Sequence, residues 1–270
     1  MVGAMINICF AGVTGWTAPP IIAAIDEADD LTLTSGVSRS AAGQSLTAYS
    51  GRAGLVYASV AEALASAPAD VLIDFTSAAA VRDNARAAIE AGVHVVIGTS
   101  GLTGDDYQAL DRLARDRRVG VIAAGNFSVM AAVLRRAAAM AARHLGHWEI
   151  IDYASDTKPD VPSGTARELA ETLARVREPA RALPLAELEG PVEARGAEIG
   201  GARVHSVRLP SFVVTTEVVF GGPGERLMMR HDPGLTPAPY VAGTLLAVRH
   251  VADAVGVRRG LDSLLFDAPA

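Results

Sequence analysis

In the first half of the chain, short and largely apolar runs alternate with segments of helical pattern, and this alternation constrains the fold more than any other feature. The clearest apolar runs span residues 6–11, 31–37, 71–75, 93–97 and 120–124. Strands that are apolar on both faces are typical of a parallel sheet, because the crossovers between parallel strands are usually helices that cover both faces. We therefore predict an α/β first domain, with a short additional strand at residues 56–59.

The pattern changes after Asn126. The predicted elements are helices at residues 129–145 and 164–177, a strand at 148–153, an irregular linker at 179–201, and antiparallel strands at 204–209, 212–220 and 227–230 with a turn at 221–224. A last helix, at 240–255, is expected to return to the first domain. This arrangement predicts an α+β second domain with an open mixed sheet. Residues 1–126 with 241–270 packing back would form one domain, and residues 127–240 the other.

Charge and cysteine content exclude several classes of protein. The formal net charge is −6, which is unlike a nucleic-acid groove or a polybasic membrane surface. The single cysteine, Cys9, excludes an internal disulfide and any multi-cysteine metal site, and we expect no bound metal. No apolar stretch of about 18 residues and no targeting segment is visible, so we expect a cytoplasmic protein that binds neither membrane nor nucleic acid.

A glycine-containing turn follows the first predicted strand directly. Its glycines let the chain turn tightly and let backbone amides approach a pyrophosphate at the start of the next helix. Ala18 replaces a third glycine, at a position that governs only helix–strand packing. A plain strand–turn–helix also fits, but the place of the turn at the start of a parallel-sheet pattern favours a Rossmann dinucleotide-binding domain. The cofactor-binding residues predicted here are Gly12, Thr14, Gly15, Trp16 and Thr17.

The end of the second predicted strand indicates which dinucleotide is bound. NAD-preferring domains usually place a carboxylate there for the ribose 2′-hydroxyl. This chain has Ser38, Arg39 and Ser40 instead, an arginine between two hydroxyls that suits a 2′-phosphate. A solvated surface arginine is the alternative. We predict NADPH as the preferred cofactor, with NADH possible.

Polar turns also follow the later strands of the first domain. Ligands of open α/β sheets bind outside the carboxyl ends of the strands, so these turns should outline one cleft. Taken singly, each turn has the polar residues that are common in loops without a ligand. Thr76 would also serve as a helix cap. The residues predicted to contact the cofactor there are Phe75, Thr76, Gly98, Thr99, Ser100, Asn126 and Phe127.

The most specific pattern is the run from Lys158 to Ala166, which opens a predicted helix. Ser163 or Thr165 would cap that helix, and the free amides of a helix N-terminus attract anions. Lys158 adds a cation nearby. An ordinary capped helix is the alternative, but the lysine and two prolines in the loop favour a carboxylate receptor.

The sequence resembles the dihydrodipicolinate reductase family over nearly its whole length. The resemblance rests on residues 12–15, 74–76, 98–101 and 126–128, above all on 158–166, and also on 205–208 and 220–226. It implies an NAD(P)H-dependent reductase of the diaminopimelate route to lysine, assembled as a homotetramer through the second domain's sheet. It also implies a substrate site at Asp160, Ser163, Gly164 and Thr165, with Lys158 supporting binding and protonation.

Two departures from the family pattern concern the substrate side. The family carries a pair of histidines, one of them assigned to proton donation or substrate binding, where this chain has Ala154 and Ser155. An arginine expected after the last strand is replaced within residues 234–237. Lys158 is our first candidate for the acid, with Asp156, Tyr153 or water as substitutes. A relative that reduces a different imino acid, and a nucleotide-binding regulator without turnover, remain as alternatives.

Overall fold

A computed structural model describes residues 5–180 and 183–266. The chain divides into two compact units, one comprising Met1–Val129 with Pro237–Ala270 and the other Met130–Thr236. The first segment contains β1 (Ile6–Ala11), α1 (Ala18–Glu27), β2 (Leu31–Val37), β3 (Val56–Tyr57), α2 (Val60–Ser66), β4 (Val71–Asp74), α3 (Val81–Glu90), β5 (His94–Ile97), α4 (Gly104–Arg117) and β6 (Gly120–Ala123).

The second unit follows. Its elements are α5 (Val129–Ala142), β7 (His147–Ala154), α6 (Gly164–Ala174), β8 (Ala197–Ile199), β9 (Ala202–Arg208), β10 (Val214–Gly222) and β11 (Glu225–His231). The chain then returns to the first unit with α7 (Tyr240–His250), β12 (Gly256–Arg259) and the short α8 (Asp262–Leu265).

The first unit is built on a seven-stranded parallel sheet in the order β12-β6-β5-β4-β1-β2-β3. The central strands are buried on both faces, which explains why they read as continuous apolar runs. Local signals fix the helix starts: the hydroxyl of Ser59 accepts the amide of Glu62 at the start of α2, and Thr103 and Asp106 form a capping box on α4. The predicted Rossmann architecture is confirmed.

The second unit has a five-stranded mixed sheet in the order β11-β10-β7-β9-β8. Its apolar core lies between α5, α6 and one face of the sheet, where Trp148 and Ile150 of β7 pack with Leu169 of α6. Arg135 of α5 and Glu168 of α6 form a buried ion pair with a separation of 2.7 Å. Side chains alternate along a strand, so the odd-numbered residues of β7 lie on the opposite face.

Several sequence predictions differ from the structure. The strands β9 and β10 are not paired, because β7 lies between them, and β9 runs parallel to β7. The predicted linker at 179–201 contains the edge strand β8, and β12 at the edge of the first sheet was not predicted. Both are short and rich in charged residues, as edge strands often are. Helices α5 and α6 end earlier than predicted, at Ala142 and Ala174.

Among the residues that the structure describes, no helix combines the length and the apolar character needed to cross a membrane.

Candidate active site

The turn after β1 has the backbone geometry that only glycine adopts easily. Gly12 has a φ of +93°, and a Cβ there would lie 2.2 Å from the carbonyl oxygen of Phe75. The amide of Gly15 donates to the carbonyl of Gly12 at 2.8 Å and closes the turn. Helix α1 begins at Ala18, and its first turn contains Pro19 and Pro20. Because proline has no N–H, most amides available to an anion here belong to the turn rather than to the helix.

Hydroxyl groups connect this turn to the end of β2. Thr14 Oγ1 lies 3.0 Å from Ser38 Oγ, which in turn lies 3.1 Å from Ser40 Oγ. Arg39 is exposed beside them and opens a single turn of 3₁₀ helix. The structure therefore brings the glycine turn close to the residues predicted to bind a 2′-phosphate. Both lie at the carboxyl ends of β1 and β2.

A fully buried carboxylate, Asp74 at the end of β4, organises the neighbouring turns. Asp74 accepts hydrogen bonds from Thr99 Oγ1 at 2.6 Å, Thr76 Oγ1 at 2.8 Å and Asn84 Nδ2 at 2.8 Å. Thr99 Oγ1 also accepts the amide of Thr76 at 2.7 Å. The turns after β4 and β5 are thus tied to each other as well as to the sheet.

Phe75 is the aromatic centre of this group of turns. Its ring stacks on Phe10 and contacts Phe127 edge-on, with centroid separations of 6.2 and 5.7 Å. A pocket of about 310 Å³ opens beside it. The predicted residues that line this pocket are Gly15, Trp16, Thr17, Phe75, Thr76, Gly98, Thr99 and Ser100.

Two predicted cofactor residues are placed differently. Phe127 is buried under the ring of Phe75, and a Cβ on Gly243 of α7 would lie 2.0 Å from its carbonyl oxygen. Asn126 is also buried, and its Oδ1 accepts the amide of Ser128 at 2.8 Å. Neither residue is among those that line the pocket.

In the second unit, the predicted cation and its neighbour form an ion pair. Lys158 Nζ lies 2.8 Å from Asp160 Oδ1, and both side chains are about three-quarters buried. Asp160 was predicted to bind substrate, but its carboxylate faces the ammonium group. A carboxylate would repel an anionic ligand. In this structure the carboxylate of Asp160 instead holds the ammonium group of Lys158 in place.

Helix α6 begins at Gly164, with Ser163 as its N-cap residue. Ser163 is only 1% exposed; its hydroxyl donates to Asp152 Oδ1 at 2.6 Å, and its amide donates to Asp152 Oδ2 at 2.8 Å. The hydroxyl proton of Ser163 is thus donated within the protein, and the substrate contact of Ser163 stays a prediction. Gly164 and Thr165 follow in the half-exposed first turn.

The substitute acids weighed from the sequence occupy unequal positions. Tyr153 lies on the opposite face of the sheet from Asp152, where its hydroxyl donates to Glu217 at 3.3 Å. Burial, together with the charge of Glu217, raises the pKa of the Tyr153 hydroxyl. Asp156 is exposed, and Ala154 is fully buried. The Tyr153 hydroxyl is therefore engaged with Glu217, on the face of the sheet opposite to Asp152.

Four residues of these hydrogen-bond networks were not among the predicted site residues: Asp74, Asn84, Asp152 and Arg208. The sequence did contain a signal for the two aspartates. Each is an acidic residue at a strand position where an apolar, buried side chain would be expected. A buried carboxylate needs several donors, and their identity depends on long-range contacts that the sequence does not reveal.

Comparison with known proteins covers both units. The family models described as dihydrodipicolinate reductase, N-terminus, and dihydrodipicolinate reductase, C-terminus, match residues 6–127 and 127–265. A 4-hydroxy-tetrahydrodipicolinate reductase of Geobacillus kaustophilus is 36% identical, over 96% of this chain and 99% of its own. One of Moorella thermoacetica is 38% identical, over 97% and 98%. The solved dipicolinate-bound dihydrodipicolinate reductase of Paenisporosarcina sp. TG-14 is 27% identical with a TM-score of 0.75, over 97% of this chain and all of its own.

A Rossmann sheet with polar turns at its carboxyl edge, joined to a mixed-sheet unit, defines an oxidoreductase that uses NAD(P)H. Family models cover almost the whole chain, and relatives above 30% identity align with it end to end. The chain belongs to the dihydrodipicolinate reductase family. The predicted family, fold class and enzyme class are confirmed.

Proposed function

We propose that this chain reduces 4-hydroxy-tetrahydrodipicolinate in the diaminopimelate route to lysine, with NADPH as its preferred cofactor. The observation that carries the proposal is the placement of Lys158 within the loop that leads into helix α6, in ionic contact with Asp160 at 2.8 Å. An ammonium group and the first amides of a helix form a receptor for a carboxylate. The substrates named for the relatives of this chain carry two carboxylates on one ring.

On the substrate side, we assign the carboxylate contact to the backbone amides of Gly164 and Thr165, with the hydroxyl of Thr165. The N-terminus of a helix carries a partial positive charge, which favours a carboxylate there. Lys158 is assigned to charge neutralisation at the same carboxylate, and Asp160 to orienting Lys158. Ser163 contributes through its cap on α6, where its hydroxyl accepts the amide of Ala166 at 3.3 Å.

On the cofactor side, the residues present fit a dinucleotide. A Cβ at Gly12 would collide with the Phe75 carbonyl, so the turn stays narrow enough for its amides to approach a diphosphate. The exposed guanidinium of Arg39 and the hydroxyls of Ser38 and Ser40 suit a 2′-phosphate. When bound, NADPH supplies the hydride. The buried Asn126 and Phe127 are assigned to supporting the nicotinamide side of the site.

Loss of the 4-hydroxyl group of the proposed substrate as water gives a conjugated imine. Addition of a hydride to that imine leaves electron density on a ring carbon atom that must then be protonated. A positioned acid accelerates such a step by roughly 10²–10⁴-fold. We assign this acid to Lys158, because an ammonium group can release a proton in the working pH range of an enzyme and a guanidinium cannot.

A second candidate function is the reduction of a different cyclic imino acid. The observation that favours it is the methyl group of Ala154 and the hydroxyl of Ser155, where the family pattern has imidazoles. Neither group is an effective acid near neutral pH.

The experiment is a spectrophotometric assay of NADPH oxidation with 4-hydroxy-tetrahydrodipicolinate and with a panel of other cyclic imines. We expect turnover with the first, competitive inhibition by pyridine-2,6-dicarboxylate, and a several-fold increase in KM for Thr165→Val. Turnover only with another imine would establish the second candidate. NADPH binding without turnover on any substrate would indicate a regulator.

We also propose a homotetramer assembled through the free face of the second sheet. Met228 on β11 is exposed, and a groove of about 710 Å³ on this unit is lined in part by Leu183, Leu185 and Leu188. An exposed sheet with an apolar groove is typical of a surface that a partner covers. Light scattering at several protein concentrations tests this, and a monomer throughout would contradict it.

A further inference from the structure

A buried carboxylate lies directly behind the start of helix α6. Asp152 of β7 is 0% exposed and accepts the amide and the hydroxyl of Ser163 at 2.8 and 2.6 Å. It also accepts the hydroxyl of Ser206, on β9, at 3.2 Å. One side chain thus joins two neighbouring strands to the residue that caps the helix.

Arg208 at the end of β9 supplies the opposing charge. Its Nη2 donates to Asp152 Oδ2 at 2.9 Å and to the carbonyl oxygen of Asp160 at 2.7 Å. Its Nη1 donates to the carbonyl oxygen of Asp152 at 3.3 Å. The loop before α6 is therefore attached to the sheet at two points, Asp160 and Ser163, and both attachments pass through the Asp152–Arg208 ion pair.

These contacts use the hydrogen-bonding capacity of Ser163 within the protein. A serine hydroxyl has one proton, and this one is donated to Asp152 while the oxygen accepts the amide of Ala166. The hydroxyl has no second proton for a ligand. What Ser163 determines is the direction of the backbone that follows it, and hence where the amides of Gly164 and Thr165 point.

We propose that Asp152 and Arg208 are positioning residues of the carboxylate site. Together with Ser163 they fix the first turn of α6, so that the amides of Gly164 and Thr165 converge on the ligand while Ser163 does not touch it. This inference rests on the proposed function, which supplies a carboxylate ligand. Anion sites depend on such preorganisation, because donors that must be reoriented on binding lose much of their contribution.

The alternative is that the buried ion pair only stabilises the fold. Breaking it would then lower the melting temperature and leave ligand affinity unchanged well below that temperature. A positioning role changes ligand affinity in the folded protein. The inhibition constant of pyridine-2,6-dicarboxylate, compared with the Kd of NADPH, separates the two because the predicted NADPH site lies in the other unit.

The experiment is a double-mutant cycle on Asp152→Asn and Ser163→Ala. Each single variant is expected to raise the inhibition constant and the substrate KM about ten- to a hundredfold, with kcat changed less, since a hydrogen bond to a charged group is lost. The double variant should lose clearly less than the product of the two single losses, because both changes break one contact. The Kd of NADPH should stay within about twofold of the wild-type value.

Asp26→Asn is the matched control. Asp26 likewise accepts a serine hydroxyl and a backbone amide, from Ser50 at 2.7 Å and Gly51 at 2.8 Å, but it lies near the far end of α1 in the first unit. Both affinities should be unchanged in this variant. If Asp152→Asn does not fold, Arg208→Lys replaces it in the cycle, because a lysine keeps the charge but cannot contact both Asp152 and Asp160 as the fork of Arg208 does.

Three results would overturn the inference. Losses that multiply in the double variant would mean that Ser163 contacts the ligand independently of Asp152. An unchanged inhibition constant with a lowered melting temperature would leave the ion pair a purely structural role. If the wild-type protein does not bind pyridine-2,6-dicarboxylate at all, the proposed function fails and this inference fails with it.

Discussion

Lys158 is the only lysine in the chain: of the 24 lysine and arginine residues, the other 23 are arginines. Wherever else this protein needs a cation, it uses a guanidinium group. Arginine remains protonated at every physiological pH, whereas lysine can lose its proton and regain it. An amine at this one position therefore supports the assignment of Lys158 to proton transfer as well as to charge neutralisation.

Two substitutions separate these roles of Lys158. Lys158→Met removes charge and proton, and should lower kcat/KM by about two to four orders of magnitude. Lys158→Arg keeps the charge and an ion pair with Asp160, so KM should change little while kcat falls. Steady-state kinetics with the substrate of the wild-type enzyme provides the measurement. Full activity in both variants would show that the proton comes from solvent or another side chain.

Arg39 should determine the choice between the two dinucleotides. The guanidinium is exposed beside the linked hydroxyls of Thr14, Ser38 and Ser40. Arg39→Ala should weaken NADPH binding by about tenfold or more and leave NADH binding nearly unchanged, because only NADPH carries a 2′-phosphate. Calorimetric dissociation constants for both dinucleotides test this. Equal wild-type affinities would contradict the predicted preference.

At the scale of the elements, the turns after β1, β4 and β5 are packed against one another around Phe75. A Cβ on Gly98 would lie 2.1 Å from a ring carbon of Phe75, and that ring is itself held between Phe10 and Phe127. The ring has little freedom to move aside. The edge of the sheet is therefore one packed assembly rather than three independent loops.

Gly98→Ala should consequently weaken NADPH binding about tenfold without abolishing the fold, since the added methyl displaces Phe75 or its turn. The inhibition constant of pyridine-2,6-dicarboxylate should change much less. Gly104→Ala is the control, because a Cβ at that position meets nothing within 4 Å. Normal NADPH affinity in Gly98→Ala would mean that the packing around Phe75 does not support the cofactor site.

Elements with strong local signals could be predicted from the sequence, and those set by distant contacts could not. The bounds of β1 and β2 are as predicted, and a glycine turn directly follows β1. The pairing of β9 with β7 is determined by packing across the sheet, which no local pattern records. The edge strands β8 and β12 have only three and four residues, too few for a recognisable apolar pattern.

The same distinction applies to the site. The turn at Gly12 and the helix start at Gly164 are local features, and both were predicted. The hydrogen bonds that Asp152 accepts from Ser163 and Arg208 span 11 and 56 residues, and the first of them occupies the hydroxyl proton of the serine. A sequence motif can indicate which residues lie near a ligand. It does not show which of their hydrogen-bond donors are already used within the protein.

At the scale of the whole molecule, Cys9 should report on the opening of the first unit. The thiol lies in the central strand β1, is 0% exposed, and burial raises its pKa to about 11. At about pH 8 the native protein should therefore be almost unreactive toward thiol reagents, because both access and thiolate are lacking. Reaction should accelerate on unfolding and slow down when NADPH is bound. Rapid labelling of the native protein would contradict this placement, and Cys9→Ala is the unlabelled control.

The last strand of the nucleotide-binding sheet comes from the far end of the chain: β12 pairs with β6, although more than a hundred residues separate them. During synthesis, the strand β6 therefore leaves the ribosome before its neighbour β12 has been made. It remains unpaired on that side while the whole second unit is translated. At roughly 5–20 residues per second, that interval is several seconds long. For that time the nascent first unit presents an open parallel edge, which makes it a natural client for chaperones that bind growing chains.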